Sequence, residues 1–349
     1  MHMADALISP AVGGTAWAAT AGLIGYSSRK LRDGMDDRQI PLMAVLGAFI
    51  FAAQMVNFTI PATGSSGHLG GGLILAILLG PQAAFLTLAS VLTVQAMFFA
   101  DGGLLALGCN IINLGFFPCF IAYPFIYRKI ADGHEKRWRI MTASLIAALF
   151  GLQLGSVAVV LETYSSGISE LPLRTFLMVM QPIHLAIGMV EGAVTAAVVL
   201  FVLKARPEIL DASPGRAPVG SMSLRHLAAG FLVLTLLLGG GLSWFASRNP
   251  DGLEWAIARI TGSEELEGPG NGVHRSLGDL QEKTALLPDY GFREDRGEEP
   301  RAPGEGDTLS EKAGTSVSGL LGGGLTLLLA GAAGMILRWK RVRTRALRY

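Results

Sequence analysis

Residues 68–101 read HLGGGLILAILLGPQAAFLTLASVLTVQAMFFAD, an apolar run bounded by a histidine and an aspartate. A membrane-crossing helix needs about 20 mostly apolar residues, so the run is too long for one helix. Its Gly80-Pro81 pair divides it, because proline lacks the N–H and clashes with the preceding turn. The division leaves a short piece, 69–80, and a full span, 83–99. Whether the short piece crosses the bilayer or re-enters from one side decides the topology of the whole chain.

Working outward, further runs of spanning character lie at 7–27, 40–59, 103–127, 139–161, 175–203, 225–246 and 317–337. With 51% hydrophobic and only 16% charged residues in 349, and 45 glycines, the composition is that of an integral membrane protein. Lysine and arginine concentrate on the cytoplasmic side of membrane proteins. Basic segments occur at SSRKLRDGMDDR (27–38), YRKIADGHEKRWR (127–139), around Lys204, Arg206, Arg216 and Arg225, and at the tail RWKRVRTRALRY (338–349). If all four lie inside, an even number of crossings separates Arg38 from Arg128, which requires 69–80 to cross. The expectation is an all-α, polytopic helical bundle of about nine transmembrane helices, N-terminus outside and C-terminus inside. His2, the His68 loop and the Asp101 turn then share the outer side.

Composition changes along the chain. Residues 1–203 form a module of about seven helices, 204–224 a cytoplasmic linker, and 225–349 a two-helix module. The second module carries a charged, Pro- and Gly-rich external loop at 247–316, expected to be flexible in its second half. Cys109 and Cys119 match no zinc or redox spacing and read as buried small hydrophobes. No GxxxxGK[ST] phosphate loop is present, so an ATP-driven role requires partner subunits. No HExxH or comparable pair occurs in a span, which argues against a membrane metalloenzyme.

The chain opens MHMADALISP, with a histidine second where a secretory signal would carry lysine or arginine. A terminal amine, the amide nitrogen of residue 2 and the proximal nitrogen of a residue-2 imidazole close two adjoining chelate rings around one ion. One corner of a square stays open. A second imidazole completes four nitrogens in a plane, an arrangement for Ni(II) or Cu(II) rather than tetrahedral zinc or oxygen-seeking magnesium and calcium. The alternative is that His2 belongs to a disordered end. Among six histidines, His68 in TGSSGHLGGG is the candidate fourth ligand, or else a solvated histidine at a helix start. Asp5, Asn57, Ser65 and Ser66 are candidates to hydrogen-bond a ligand ring or the amine. His184 and Glu191, seven residues apart on one helical face, read as a structural pair. Gln54, Gln95, Asn110 and Asn113 read as helix-to-helix contacts. Gly319 and Gly323 either pack a helix closely or are scattered glycines in a lipid-facing one.

The opening MH with Asp5, Leu7, Ser9 and Pro10 resembles the start of the substrate-binding component of nickel/cobalt energy-coupling-factor transporters. QMVNFTIPATGSSGHLGGG, LLGPQAAFLTL, FFADGGLLALGCNIINLG and PIHLAIGMVEGAVTA resemble the same family's later segments, over residues 1–203. Residues 225–349 resemble its small partner, through PDGLE at 250–254 and PDY at 288–290. The resemblance implies metal ligation by the amine and amide nitrogens of Met1 and His2, the His2 ring and the His68 ring. It implies partners too: a membrane coupling subunit, two ATPase subunits, the lipid bilayer and a transition-metal ion as substrate, but no nucleic acid. The implied setting is the cytoplasmic (inner) membrane, in metal supply of the kind that serves cobalamin biosynthesis. Met3, Ala4 and Ala6 depart from the family's usual Ile, Pro and Gly. The function implied is capture of Ni(II) or Co(II) outside and ATP-driven delivery inward; an ATPase-independent channel or secondary carrier is the alternative, and no enzymatic role is implied.

Overall fold

A computed structural model describes residues 2–34, 39–132, 136–209, 223–270, 272–293 and 309–346. The linker reading for 204–224 falls mostly, and the loop reading for 294–308 entirely, outside the described residues. The chain is mostly helical. Its first module comprises α1 (Pro10–Gly34), α2 (Gln39–Gln54), α3 (Gly72–Leu79), α4 (Pro81–Phe99), α5 (Leu107–Ala131), α6 (Arg137–Ser166) and α7 (Leu173–Ala205). The second comprises α8 (Leu224–Gly240), α9 (Gly252–Thr261), α10 (Gly272–Thr284) and α11 (Leu309–Ala346). Among the described residues, α4, α5, α6, α7 and α11 are long and apolar enough to cross a membrane, and α2 and α8 are shorter apolar helices. Large apolar side chains such as Phe150, Met178, Met189, Leu236 and Leu328 face outward, as lipid-facing residues of a multi-pass membrane protein do.

The break at Gly80-Pro81 is where the sequence places it. Gly80 adopts φ +80°, open to glycine, and Pro81 occupies the first turn of α4, where its missing N–H costs nothing. All eight residues of α3 are buried. At 1.5 Å per residue α3 is about 12 Å long, well short of the hydrocarbon thickness. Its role in the fold is to sit inside the bundle, not to face lipid.

One element departs from the all-α expectation. Phe58–Ile60 (β1) and Ser65–Gly67 (β2) form a two-stranded antiparallel hairpin, Phe58 opposite Gly67 and Ile60 opposite Ser65. The segment PATG between them contains Ala62 and Gly64 at positive φ, which turns the chain back. Proline, threonine and glycine disfavour helix here, and the backbone bonds to itself instead. This hairpin leads directly into His68.

The second module packs on the first. Helix α11 lies along α2, with Gly331 against Ala44 and Gly334 against Ile40. Gly239 of α8 and Gly319 of α11 meet backbone to backbone, and Gly323 faces Thr235. The close-packing reading of the Gly319/Gly323 pair therefore describes the fold. A Cβ on Gly319 would run into the Gly239 carbonyl. Gly319→Val is expected to destabilise the chain by about 1–3 kcal/mol, read as a lowered unfolding temperature in detergent.

The described part of the 247–316 loop carries elements of its own. Asp251 caps α9, accepting from Leu253 N–H (2.7 Å) and Glu254 N–H (2.9 Å), while Glu254 accepts from Asp251 N–H (2.8 Å). The amphipathic α10 and the turn at Pro288–Tyr290 follow. Gln281 of α10 donates to the carbonyls of Ala96 (2.9 Å) and Gly102 (2.7 Å), fastening the loop to the C-terminal end of α4.

Candidate functional site

His2 is the first described residue, and the segment that follows it is packed into the bundle. Asn110 of α5 accepts from Met3 N–H (2.8 Å) and donates to Met3 C=O (3.2 Å), and Gly103 N–H also donates to that carbonyl (2.9 Å). Met3 is wholly buried. Asp5 accepts from Ala106 N–H (2.9 Å), and His274 of α10 donates to Ile8 C=O (2.9 Å). So the start of the chain is held by α5, the 100–106 turn and the second module. Asn110→Ala removes both bonds to Met3 and leaves its N–H buried without an acceptor. A loss of about 2–4 kcal/mol in local stability is expected, visible as faster amide exchange at residues 3–8.

The His2 ring stacks on the His68 ring, centroids 5.0 Å apart and planes 5° from parallel. The histidines that the sequence reading paired are thus brought together across 66 residues of chain; Met1 lies outside the described residues. His68 Nδ1–H donates to its neighbour's carbonyl, Leu69 O (3.1 Å), which puts the ring's lone pair on Nε2. Burial pulls the His68 pKa down to about 3, so the ring is neutral and able to act as a ligand at ordinary pH. His2 Nδ1 faces Asp101 Oδ1 at 3.1 Å, and His2 Nε2 is buried with no hydrogen-bond partner.

Three features of this neighbourhood escaped the sequence reading. The first is the pairing of Asp101, which the sequence reading set on the same side as His2 and His68, with the PDY turn: the second oxygen of Asp101 accepts from Tyr290 O–H at 2.5 Å. Burial opposes ionisation of Asp101, but the His2 ring and the Tyr290 hydroxyl beside it hold the carboxyl well below the usual carboxylate range. Burial and the Asp101 charge push the Tyr290 phenol well above its ordinary value, so it remains a donor. The second is the docking of the PDGLE segment on the hairpin: Ser66 N–H donates to Pro250 O (2.8 Å), and Ser66 O–H donates to Asn249 O (2.8 Å). Ser65 O–H donates to Ser66 O (3.1 Å), and Asn57 O accepts from Ser247 N–H (2.8 Å). The Ser66 hydroxyl, with a longer bond from Ser65 O–H to Pro250 O (3.4 Å), thus ties the His68-bearing loop to the second module. The third is Glu162, which lies one residue beyond the span read from the sequence but sits in α6 and accepts from Asn113 (2.7 Å).

Glu191 is a structural partner, as its helical position suggested: its carboxylate accepts from Gly70 N–H and Gly71 N–H, each at 3.1 Å. His184, wholly buried, donates to Met180 O (2.8 Å). Gln95 donates to Gln54 (2.8 Å), joining α4 to α2. Cys109 and Cys119 are buried free thiols.

Above the two rings lies a cavity of about 390 Å³ whose lining includes His2, His68, Asp101, Asp251, Glu254 and Tyr290. Burial and the adjoining Asp251 raise the Glu254 pKa to about 7. Among the described residues, no cluster of three or more His, Cys, Asp or Glu side chains is arranged as a metal site by side chains alone.

The chain is thus a membrane helical bundle in which two imidazoles and several carboxylates line one cavity. Residues 2–209 match the family described as the cobalt uptake substrate-specific transmembrane region, and residues 225–339 match the PDGLE domain. The chain belongs to that cobalt-uptake family and carries a fused PDGLE domain. It is 32% identical over 94% of its length, and 96% of the relative's, to a putative fused nickel transport protein of Archaeoglobus fulgidus. A fused nickel transport protein of Rhodobacter capsulatus is 32% identical, covering 83% of this chain and 88% of that one. A cobalt transport protein of Geobacter sulfurreducens is 26% identical, over 80% of this chain and 83% of its own. The crystal structure of a truncated transition metal transporter superposes with a TM-score of 0.52 at 30% identity, covering 58% of this chain and 98% of that one.

Proposed function

We propose that the chain captures Ni(II) or Co(II) at the outer face and delivers it for ATP-driven uptake, as the substrate-specific component of an energy-coupling-factor transporter. The observation that carries this reading is the parallel pairing of His2 and His68 beneath an acidic cavity. In this reading the ion is the transported substrate. Its four nitrogens are the amine of Met1, the amide of His2, the proximal ring nitrogen of His2 and the His68 ring. Two adjoining chelate rings hold the ion at the chain start, and His68 closes the plane. The bonds described above from Asp5, Ser65, Ser66 and the Asn57 backbone carbonyl go to backbone groups and not to a histidine ring, so in this reading these residues hold the two ligand-bearing segments without touching a ligand.

The acidic side chains around the cavity supply a negative field that concentrates divalent cations before ligation. Parity of the basic segments supports nine crossings in the cytoplasmic membrane, with the N-terminus outside and the C-terminus inside; the ninth needs the short, buried α3 to complete its crossing together with the His68 loop inside the bundle. A coupling subunit and two ATPase subunits would provide the work, since the chain has no phosphate loop of its own. The module boundaries at 203 and 225 mark a fusion of capture module and partner module.

The test is uptake of radioactive nickel or cobalt by cells that carry the chain with or without the ATPase subunits. Uptake is expected only with them, and is expected to vanish in His68→Ala while the purified variant stays monodisperse. Undiminished uptake without the ATPase subunits would replace this reading with a channel or secondary carrier.

A further inference from the structure

The chelate asks for the proximal ring nitrogen of His2, and in this structure that nitrogen is already engaged. His2 Nδ1 lies 3.1 Å from Asp101 Oδ1, while the distal nitrogen is buried and unpartnered. An incoming ion and Asp101 therefore compete for one atom. Asp101 is in turn fixed from the second module. Tyr290 O–H bonds its other oxygen, and the Tyr290 ring stacks on Phe99 (5.1 Å, 16° from parallel) with its edge toward Phe51 (6.2 Å). Leu286 N–H and Leu287 N–H donate to Phe98 O (2.9 and 3.2 Å), and Gln281 bonds Gly102 O, so both sides of the Asp101 turn are gripped by the same segment. The tyrosine and the aspartate before it both sit at positive φ (+60° and +51°), a conformation that L-residues adopt at a cost and that over-determined surroundings maintain.

We propose that Asp101 is a placeholder for the metal at His2, and that Tyr290 of the PDY turn is the positioning residue through which the second module sets how readily Asp101 yields. A hydrogen bond to one carboxylate oxygen draws charge from the other and fixes its direction, so it weakens and orients the acceptor that His2 meets. With Tyr290 in place, Asp101 releases the ring to the ion and then remains beside the ligated ion as a counter-charge. Without the hydroxyl, Asp101 keeps its full charge for His2 and the ring is held longer. The PDY turn is thereby part of the capture step, acting on a ligand it does not touch.

The inference rests on the metal-capture reading, and its test separates the two. The full-length fused chain in nanodiscs is mixed with Ni(II) in a stopped-flow instrument, and the dependence of the observed rate on nickel concentration gives two quantities. One is the bimolecular slope at low nickel; the other is the plateau rate at which the encountered ion becomes locked. Tyr290→Phe is expected to lower the plateau by about fivefold and leave the slope unchanged, the size expected for loss of one charge-assisted hydrogen bond acting at second hand. Asp101→Ala is expected to raise the plateau and lower the slope, since it removes both the competitor and a cavity charge. In the Asp101→Ala background, Tyr290→Phe is expected to change neither.

An unchanged plateau in Tyr290→Phe overturns the proposal. So does an equal effect in both backgrounds, which would make Tyr290 a packing residue only. Failure of the wild-type chain to take up nickel, or its retention in His2→Ala, strikes the capture reading itself and is seen before any of these comparisons.

Discussion

Replacing His2 with alanine is expected to lower Ni(II) affinity by at least about 100-fold, the upper end of what loss of a group merely supporting a ligand costs. The variant loses an imidazole and, with it, the six-membered ring that joins this imidazole to the amide nitrogen. The amine and amide alone cannot hold a planar ion against water. Folding is expected to survive, because the chain start is anchored downstream by Asn110 on Met3, Ala106 on Asp5 and His274 on Ile8. Isothermal titration on detergent-purified protein, with unfolding temperature as the control, checks both halves. Capping the Met1 amine with an acetyl group should reproduce the loss with His2 intact, since the chelate needs a free amine at that place. A variant that binds nickel normally would remove His2 from the site.

Glu191→Leu is the second large effect. The substitution is close in size and apolar, but it strips the carboxylate acceptors from two amides in the loop that carries His68. Each buried N–H left without a partner costs about 1–3 kcal/mol, so a loss of about 2–6 kcal/mol is expected in the metal-free protein. Metal affinity should fall as well, since the two amides lie two and three residues past His68. Glu191→Gln, which keeps one carbonyl acceptor, should fall between the two. Unaltered thermal stability in Glu191→Leu would mean that the loop is held by something else.

Much of the bundle was legible from one-dimensional signals. Apolar runs, the Gly80-Pro81 break and basic segments are local, and each follows from what a bilayer or a proline permits. The pairing of His2 with His68 was legible for a different reason: the chelate at the chain start leaves one corner open, and few histidines could fill it. What the sequence could not convey are contacts between distant segments that have no period. Tyr290 meets Asp101 across 189 residues and Ser66 meets Asn249 across 183, through short motifs in a loop whose composition suggested flexibility. In the described part of that loop, proline and glycine mark tight turns around α9 and α10. The β1–β2 hairpin escaped because three-residue strands leave no alternating pattern long enough to read. Asn110 was read as a bond between helices and instead grips the backbone of Met3, a partner visible only once the chain start is folded against α5.

The most direct measurement is the position of the ion itself. Protein loaded with Ni(II) and crystallised in a lipidic phase gives an anomalous difference map at the nickel absorption edge. The proposed site predicts one dominant peak within bonding distance of His2 Nδ1 and the His68 ring, at the start of a chain whose intact mass retains Met1. A peak away from both rings, for instance between Glu162 and Asn113, or an intact mass lacking Met1 in fully loaded protein, would contradict it.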